Sequence, residues 1–263
     1  MKISVIVPTY KPQAYLWECL DSIYNQTFPK EDYELIVVLN GCNEPYNSQI
    51  KDWMSRHDDL QMRYFYTEQP GVSNARNVAM GNAAGEYVTF IDDDDFVSEN
   101  YLSGLYEKAA EDTISLCYPY AFDDGNIDGQ LNYRITAQYE KLYGKGRMKY
   151  ARARKFFSGP GMKLIPMGCI DGRLYDIRFN NGEDSLFMFL ISDRFKYVEL
   201  AGRDVVYYRR YRPSSAVTSK RSLSSRVLNA LRLMRAYFKI MFSNLGKYSF
   251  GFFLTRIMGT ARL

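Results

Sequence analysis

Apolar and polar positions along the first hundred residues follow two periods, one suited to buried strands and one to helices. Ile3 to Val7 is a short apolar run that ends in Pro8-Thr9-Tyr10. Leu16, Leu20 and Ile23 recur at helical spacing and predict a helix over about 13–26. From Glu34 to Leu39 the chain is apolar after its first residue, the pattern of a strand covered on both faces of a parallel sheet, and it ends in the turn Asn40-Gly41-Cys42-Asn43. A helix over 46–56, a strand over 62–66, a helix over 73–81 with Ser73 as its N-cap, and a strand over 87–91 continue the alternation. The last strand runs straight into Asp92-Asp93-Asp94-Asp95.

Strand-helix alternation with short connections predicts an open α/β sheet. Ligands of such sheets bind beyond the carboxyl ends of the strands, which draws together Pro8-Thr9-Tyr10, Asn40-Gly41 and Asp92 to Asp95. From about residue 112 the pattern becomes irregular and rich in Tyr, Gly and Asp. Residues 118–157 read as mixed short elements whose loops shape a second pocket, and 185–191 as an apolar helix.

Composition adds little to this until charge is placed along the chain. With 263 residues, 46% hydrophobic and 24% charged, disorder and fibrous repeats are excluded and one sizeable domain with an appendage is expected. The four cysteines form no C-x-x-C pair, and with the single His57 they cannot build a zinc site of the usual spacing. Twelve of the 34 basic residues and none of the 30 acidic ones follow Asp204, so 22 basic face 30 acidic residues before it. An acidic body of −8 therefore carries a tail of +12. Within that tail Leu223, Val227, Leu231, Met234 and Phe238 keep a helical rhythm, with Arg232, Arg235 and Lys239 on another face. YSFGFFLTRIM (248–258) is more oily than a nucleic-acid-binding arm requires. Basic residues beside Phe, Leu and Met suit a helix lying in an anionic membrane interface, and no run reaches the ~18 apolar residues of a spanning helix. The competing reading is a helical pair packed on the body or on a second copy of the chain. The N-terminus enters a strand at once, without the apolar stretch of a signal peptide, which predicts a cytoplasmic protein.

The aspartate run is the most informative local feature. Carboxylates at i and i+2, held at a strand end, can share a hard divalent cation with phosphate oxygens; the alternative is a solvated turn, or Asp95 capping a helix that begins near Ser98. Gly71-Val-Ser-Asn-Ala-Arg-Asn77 places Arg76 near a helix start, where it can bind phosphate or pair with the acidic run. Glu183 and Asp184 precede the helix at 185 and either favour its positive end or supply a general base. Tyr207-Tyr-Arg-Arg-Tyr-Arg-Pro-Ser-Ser215 interleaves arginine with tyrosine, which suits an anionic or sugar-bearing ligand.

In this order the segments SVIVPTYK (4–11), LIVVLNG (35–41), GVSNARNVAM (71–80), YVTFIDDDDF (87–96), NNGEDSLF (180–187) and YYRRYRPSSAV (207–217) resemble the family 2 glycosyltransferases. The resemblance implies a GT-A fold, a Rossmann-like open mixed sheet with flanking helices, to which this chain adds a C-terminal basic and aromatic helical extension. It implies a catalytic domain over 1–220, with a nucleotide-sugar half (1–111) and an acceptor half (112–220), and a tail over 221–263. The implied reaction is transfer of a hexosyl or N-acetylhexosaminyl group from a nucleoside-diphosphate sugar, UDP being expected, to an acceptor hydroxyl with inversion. By the same resemblance Pro8, Thr9 and Tyr10 line the nucleoside pocket, and Asn40 stands where many relatives carry an aspartate that contacts the base. Arg76 sits near the nucleotide or its diphosphate, and Asp92-Asp93-Asp94 is the D-x-D motif. Asp94 or Asp95 holds Mn²⁺ or Mg²⁺, Asp184 is the catalytic base, and Arg212 flanks the diphosphate or the acceptor. Acceptors in the family are often lipid-linked glycans of cell-surface polysaccharide or lipopolysaccharide assembly, which gives the tail a use at the cytoplasmic face of a membrane. The alternative is a non-catalytic sugar-nucleotide-binding or scaffold subunit, against which Asp184 and the aspartate run together argue. A homodimer through the oily tail stays open.

Overall fold

A computed structural model of the chain describes residues 1–212, 222–244 and 246–261. The 213–217 end of the last matched segment therefore lies outside the described residues, as do Lys220, Arg221 and Arg262 of the basic tail. The main sheet has eight strands in the order β3 (Met62–Thr67), β2 (Tyr33–Asn40), β1 (Ile3–Thr9), β4 (Tyr87–Phe90), β10 (Lys163–Pro166), β6 (Thr113–Leu116), β11 (Tyr197–Leu200) and β9 (Met148–Lys149). The first four run parallel, and β10 then pairs antiparallel with both β4 and β6. Every residue of β1 and β2 is buried, as their unbroken apolar runs require, and each such Val, Leu or Ile contributes about 1.5–3 kcal/mol of burial. A second sheet, β5 (Phe96–Val97), β12 (Val206–Tyr211), β7 (Tyr118–Asp123) and β8 (Asn126–Gln130), closes over the carboxyl edge of the first. The interleaved Arg and Tyr of the 207–211 segment thus belong to a strand.

The helices are α1 (Tyr15–Tyr24), α2 (Tyr46–Ser55), α3 (Val72–Asn82), α4 (Tyr101–Glu107), α5 (Arg134–Leu142), α6 (Met167–Ile170), α7 (Glu183–Leu190), α8 (Leu223–Ser243) and α9 (Phe250–Ala261). Two capping expectations fail. Gly71, not Ser73, precedes α3, and the Ser73 hydroxyl is buried inside the helix without a partner among the described residues. Asp95 caps no helix: α4 starts only at Tyr101, after Asn100, and the Asp95 carboxylate is committed elsewhere.

The C-terminal helices pack on the body. Ala230, Leu233, Tyr237 and Met241 form a second apolar face of α8, one that the 223–238 rhythm obscures, and this face is buried. Tyr237 OH donates to Ser185 Oγ at 3.0 Å, and Asn229 Nδ2 donates to the Asn181 carbonyl at 3.2 Å. Gly182, with φ +82°, lies against Leu233, and a Cβ there would come within 2.6 Å of that side chain. The rhythm noted in the sequence instead marks the outer face: Leu223, Leu231 and Phe242 stay more than half exposed, beside exposed Arg232, Arg235 and Lys239. Among the described residues no helix is long and apolar enough to cross a membrane.

Candidate active site

Three parallel strands end on one edge and deliver the residues that the pattern brought together. Thr9 closes β1, Asn40 closes β2, and Asp92 follows β4. The Asn40 amide ties these ends to each other: Nδ2 donates to the Thr9 carbonyl at 2.7 Å and Oδ1 accepts from Gly71 N–H at 2.9 Å. An aspartate here would lose the donor and set a charge against a carbonyl. Gly41, with φ +65°, leaves no room for a side chain, because a Cβ would lie 2.5 Å from Pro70 Cβ. Thr9 OH donates to Asp93 Oδ2, while Tyr10 stands 49% exposed at the rim.

Each aspartate of the run has a different setting. The Asp92 carboxylate accepts from Arg76 Nη2 at 3.0 Å and its N–H meets Tyr207 OH at 3.2 Å. Burial, with the charges of Asp94 and Asp92 behind it, pushes Asp93 up to about 7, against the Thr9 bond. Asp94 pairs with Arg212, whose Nη2 and Nε lie 2.6 and 2.7 Å from Oδ2. Asp95 turns inward, 5% exposed, and its Oδ1 accepts from Arg210 N–H at 2.8 Å, which anchors β12.

Arg76 is the centre of the site. Only 3% exposed, it donates through Nη1 to Asp184 Oδ1 at 2.7 Å and through Nη2 to Asp92. Of the two sequence readings for this arginine, the structure shows pairing with the acidic run, extended to Asp184, with Nε unpartnered among the described residues. Asp184 opens α7, and its carboxyl is raised above the usual range by burial, with Arg76 opposing. Glu183 beside it is pushed up to about 7, mainly by burial and then by Asp184.

Apart from Tyr207, these side chains line one cleft of about 1670 Å³, roomier than the several hundred Å³ typical of a single small ligand. Other lining residues have roles that sequence patterning misses. Arg134 of α5, the Ser158-Gly159-Pro160 segment, Arg226 and Asn229 of α8, and Arg256 of α9 line the same cleft, with Arg256 bonded to Ser185, the neighbour of Asp184. Lys163 is fully buried and fixes that segment by donating to the carbonyls of Gly159, Pro160 and Gly161 at 2.6, 3.0 and 2.6 Å. A lone lysine at the head of a short apolar run carries no sequence signal of such a task. Arg256 was legible as an isolated charge in an oily run, yet it faces the body, 8% exposed, and not the outer surface of the tail.

The donor set suits a hard cation. Asp92, Asp93 and Asp94 present carboxylates in surplus over Arg76 and Arg212, and burial and mutual repulsion raise Asp93 and Asp94. Among the described residues no three carboxylate, His or Cys groups converge in a ready-made cage. One or two carboxylates completed by phosphate oxygens are the usual holders of Mg²⁺, so the two observations agree.

A family model described as Glycosyl transferase family 2 matches residues 4–171. The chain is 29% identical over 222 residues to the GalNAc(5)-diNAcBac-PP-undecaprenol beta-1,3-glucosyltransferase of Campylobacter jejuni, covering 81% of this chain and 66% of that protein. Its fold matches that of Staphylococcus aureus TarS 1-349 in complex with UDP-GlcNAc, with a TM-score of 0.76 at 21% identity over 99% of this chain and 72% of that one. It also matches the mannosyltransferase PcManGT of Pyrobaculum calidifontis, in complex with GDP-Man and Mn²⁺, with a TM-score of 0.65 at 20% identity over 99% and 68%. The chain spans 20%, 66% and 18% of the first three curated relatives it matches. The parallel sheet with its aspartates at the carboxyl edge is thus the GT-A-like architecture that the motifs implied, and more than half of the chain falls within one family model: this protein belongs to glycosyl transferase family 2.

Proposed function

We propose that the chain transfers a sugar from a UDP-sugar to a hydroxyl of a lipid-linked glycan, with inversion, during cell-surface polysaccharide assembly. The observation that carries this reading is the Arg76 bridge, which sets Asp184 and Asp92 on one cleft through contacts of 2.7 and 3.0 Å. Pro8, Thr9 and Tyr10 bound the nucleoside end, and Asn40 shapes it without spending its own groups on the base. Asp184, across Arg76 from the run, takes the proton of the acceptor hydroxyl as it attacks. A divalent cation bound by Asp94 with Asp92 would supply neutralising charge to the leaving diphosphate. The burial of Asp95 and its bond to Arg210 N–H support Asp94 over Asp95 for this task. Arg212, now on Asp94, is placed to exchange that carboxylate for a phosphate oxygen. The names of the Campylobacter and Staphylococcus relatives support an undecaprenol-linked acceptor and a UDP donor.

Thermal unfolding tests the donor site. UDP with Mn²⁺ at about a hundred times its dissociation constant should raise the midpoint by roughly 5–10 °C, with little effect from GDP or from UDP plus EDTA. No shift with any nucleotide would leave the non-catalytic reading in its place.

The outer face of α8 and α9 supports peripheral attachment to an anionic membrane, on its cytoplasmic side. Because both helices wall the cleft, cutting them off would damage the site, and surface substitutions are the cleaner probe. Leu231→Glu with Phe242→Glu should abolish co-sedimentation with phosphatidylglycerol vesicles; retained binding would remove the membrane from this account.

A further inference from the structure

Arg256 is a buried cation that pairs with no carboxylate among the described residues. It is 8% exposed and lies on α9, within an apolar helix. Its Nη1 donates to Ser185 Oγ and its Nη2 to the Arg154 carbonyl, both at 2.9 Å, and its Nε is buried with no partner among the described residues. Burial pulls its pKa down to about 10; Tyr237 opposes this, and the like charges of Arg154 and Arg134 add to the fall, with Tyr150 opposing least. It therefore keeps its charge at neutral pH among other cations. The Phe252 ring, 4.4 Å from the guanidinium carbon, offers a cation–π contact, a weaker compensation than an ion pair.

A structural clamp does not explain this choice of residue. The two bonds that Arg256 makes go to a hydroxyl and a carbonyl, which a neutral amide could satisfy without the cost of burying a full charge. What a guanidinium adds is charge and a planar fork, the features that recognise phosphate. Arg256, Arg134 and Arg226 all line the same cleft. Ser185, which Arg256 holds, directly follows Asp184, so this basic pocket begins one residue, about 3.8 Å along the chain, beyond the carboxylate proposed as base.

We propose that Arg256, with Arg134 and Arg226 at its rim, forms an anion subsite that takes a phosphate or diphosphate group of the acceptor. The assignment of this end of the cleft to the acceptor rests on the glycosyltransferase reading of Asp184; the anion site itself does not. It selects acceptors whose phosphate lies within about one sugar of the attacked hydroxyl. Two sources share this chemistry, the headgroup phosphate of a lipid-linked acceptor and a phosphate that is free or part of a soluble polymer.

The test titrates inorganic phosphate against the full chain with UDP and Mg²⁺ present, and follows thermal unfolding of the wild type, Arg256→Gln and Arg212→Gln. Phosphate should raise the midpoint by about 3–5 °C in the wild type and in Arg212→Gln, and by less than a fifth of that in Arg256→Gln. An equal shift in Arg256→Gln, or a shift lost only in Arg212→Gln, places the anion at the donor end and overturns the subsite; so does the absence of any shift in the wild type. The UDP-induced shift, recorded separately, should survive Arg256→Gln, so a failed donor site and a failed anion subsite give different results. Should Arg256→Gln not fold, the exposed double variant Arg134→Gln with Arg226→Gln must weaken phosphate binding several-fold, and unchanged binding overturns the proposal. Vesicles of phosphatidic acid against phosphatidylcholine separate the sources. Weaker binding of Arg256→Gln to phosphatidic acid assigns a lipid headgroup, whereas unchanged vesicle binding with the phosphate shift lost assigns a free or polymer phosphate.

Discussion

Asp184→Asn should lower kcat by at least about 10³-fold while UDP affinity stays within about twofold. The asparagine keeps an oxygen that can accept from Arg76 Nη1, now 2.7 Å from Oδ1, so the start of α7 and the Arg76 bridge are preserved. What it loses is the ability to take a proton. As the proposed base, the same carboxylate should set the acid side of the pH–rate profile. Burial raises its pKa, so activity should fall, as pH drops, at a higher pH than an ordinary carboxylate would give, and Arg76 limits the displacement. Glu183 is the necessary control. It lies next in sequence, lines the cleft, has Oε2 unpartnered among the described residues, and is pushed up to about 7. Glu183→Gln should retain most of its turnover. If Asp184→Asn turned over normally and Glu183→Gln did not, the base would be the other carboxylate.

The strand ends were legible because their causes are local. An apolar run buried on both faces has only one place in a parallel sheet, and the residue that follows it must stand at the ligand edge, which fixes Thr9, Asn40 and Asp92 together. Partnerships across long sequence separation were not legible. Arg76 and Asp184 meet over 108 positions, and either reading of the arginine suited its surroundings in the chain. The tail shows the same limit differently. A helix with apolar residues on two faces offers two rhythms, and only the packing against Gly182 and Ser185 reveals that Leu233 and Tyr237 face inward. Arg256 was counted with the membrane-facing charges because sequence displays a charge without its depth.

Arg76→Met should cost about 3–5 kcal/mol of stability, a midpoint loss on the order of 10 °C, and almost all activity. The guanidinium is 3% exposed and satisfies a carboxylate, Asp184, whose own side chain is 16% exposed; its removal leaves that charge buried and unpaired. Asp92 contributes less to the cost, since its side chain is 37% exposed and water can screen it. Asp184 can escape by taking up a proton, which caps the loss of stability and removes the base in the same step. Two further variants separate this account from the one in which Arg76 grips the diphosphate. With charge imbalance as the cause, Asp184→Asn should be nearly neutral, or stabilising, in the Arg76→Met background, a coupling that a double-mutant cycle measures directly. Arg76→Lys, with one ammonium in place of a fork, can serve Asp184 or Asp92 but not both, and should fall between wild type and Arg76→Met in stability. A diphosphate-binding arginine would behave otherwise: UDP affinity would drop at least tenfold with stability nearly unchanged, and the cycle with Asp184 would show no coupling.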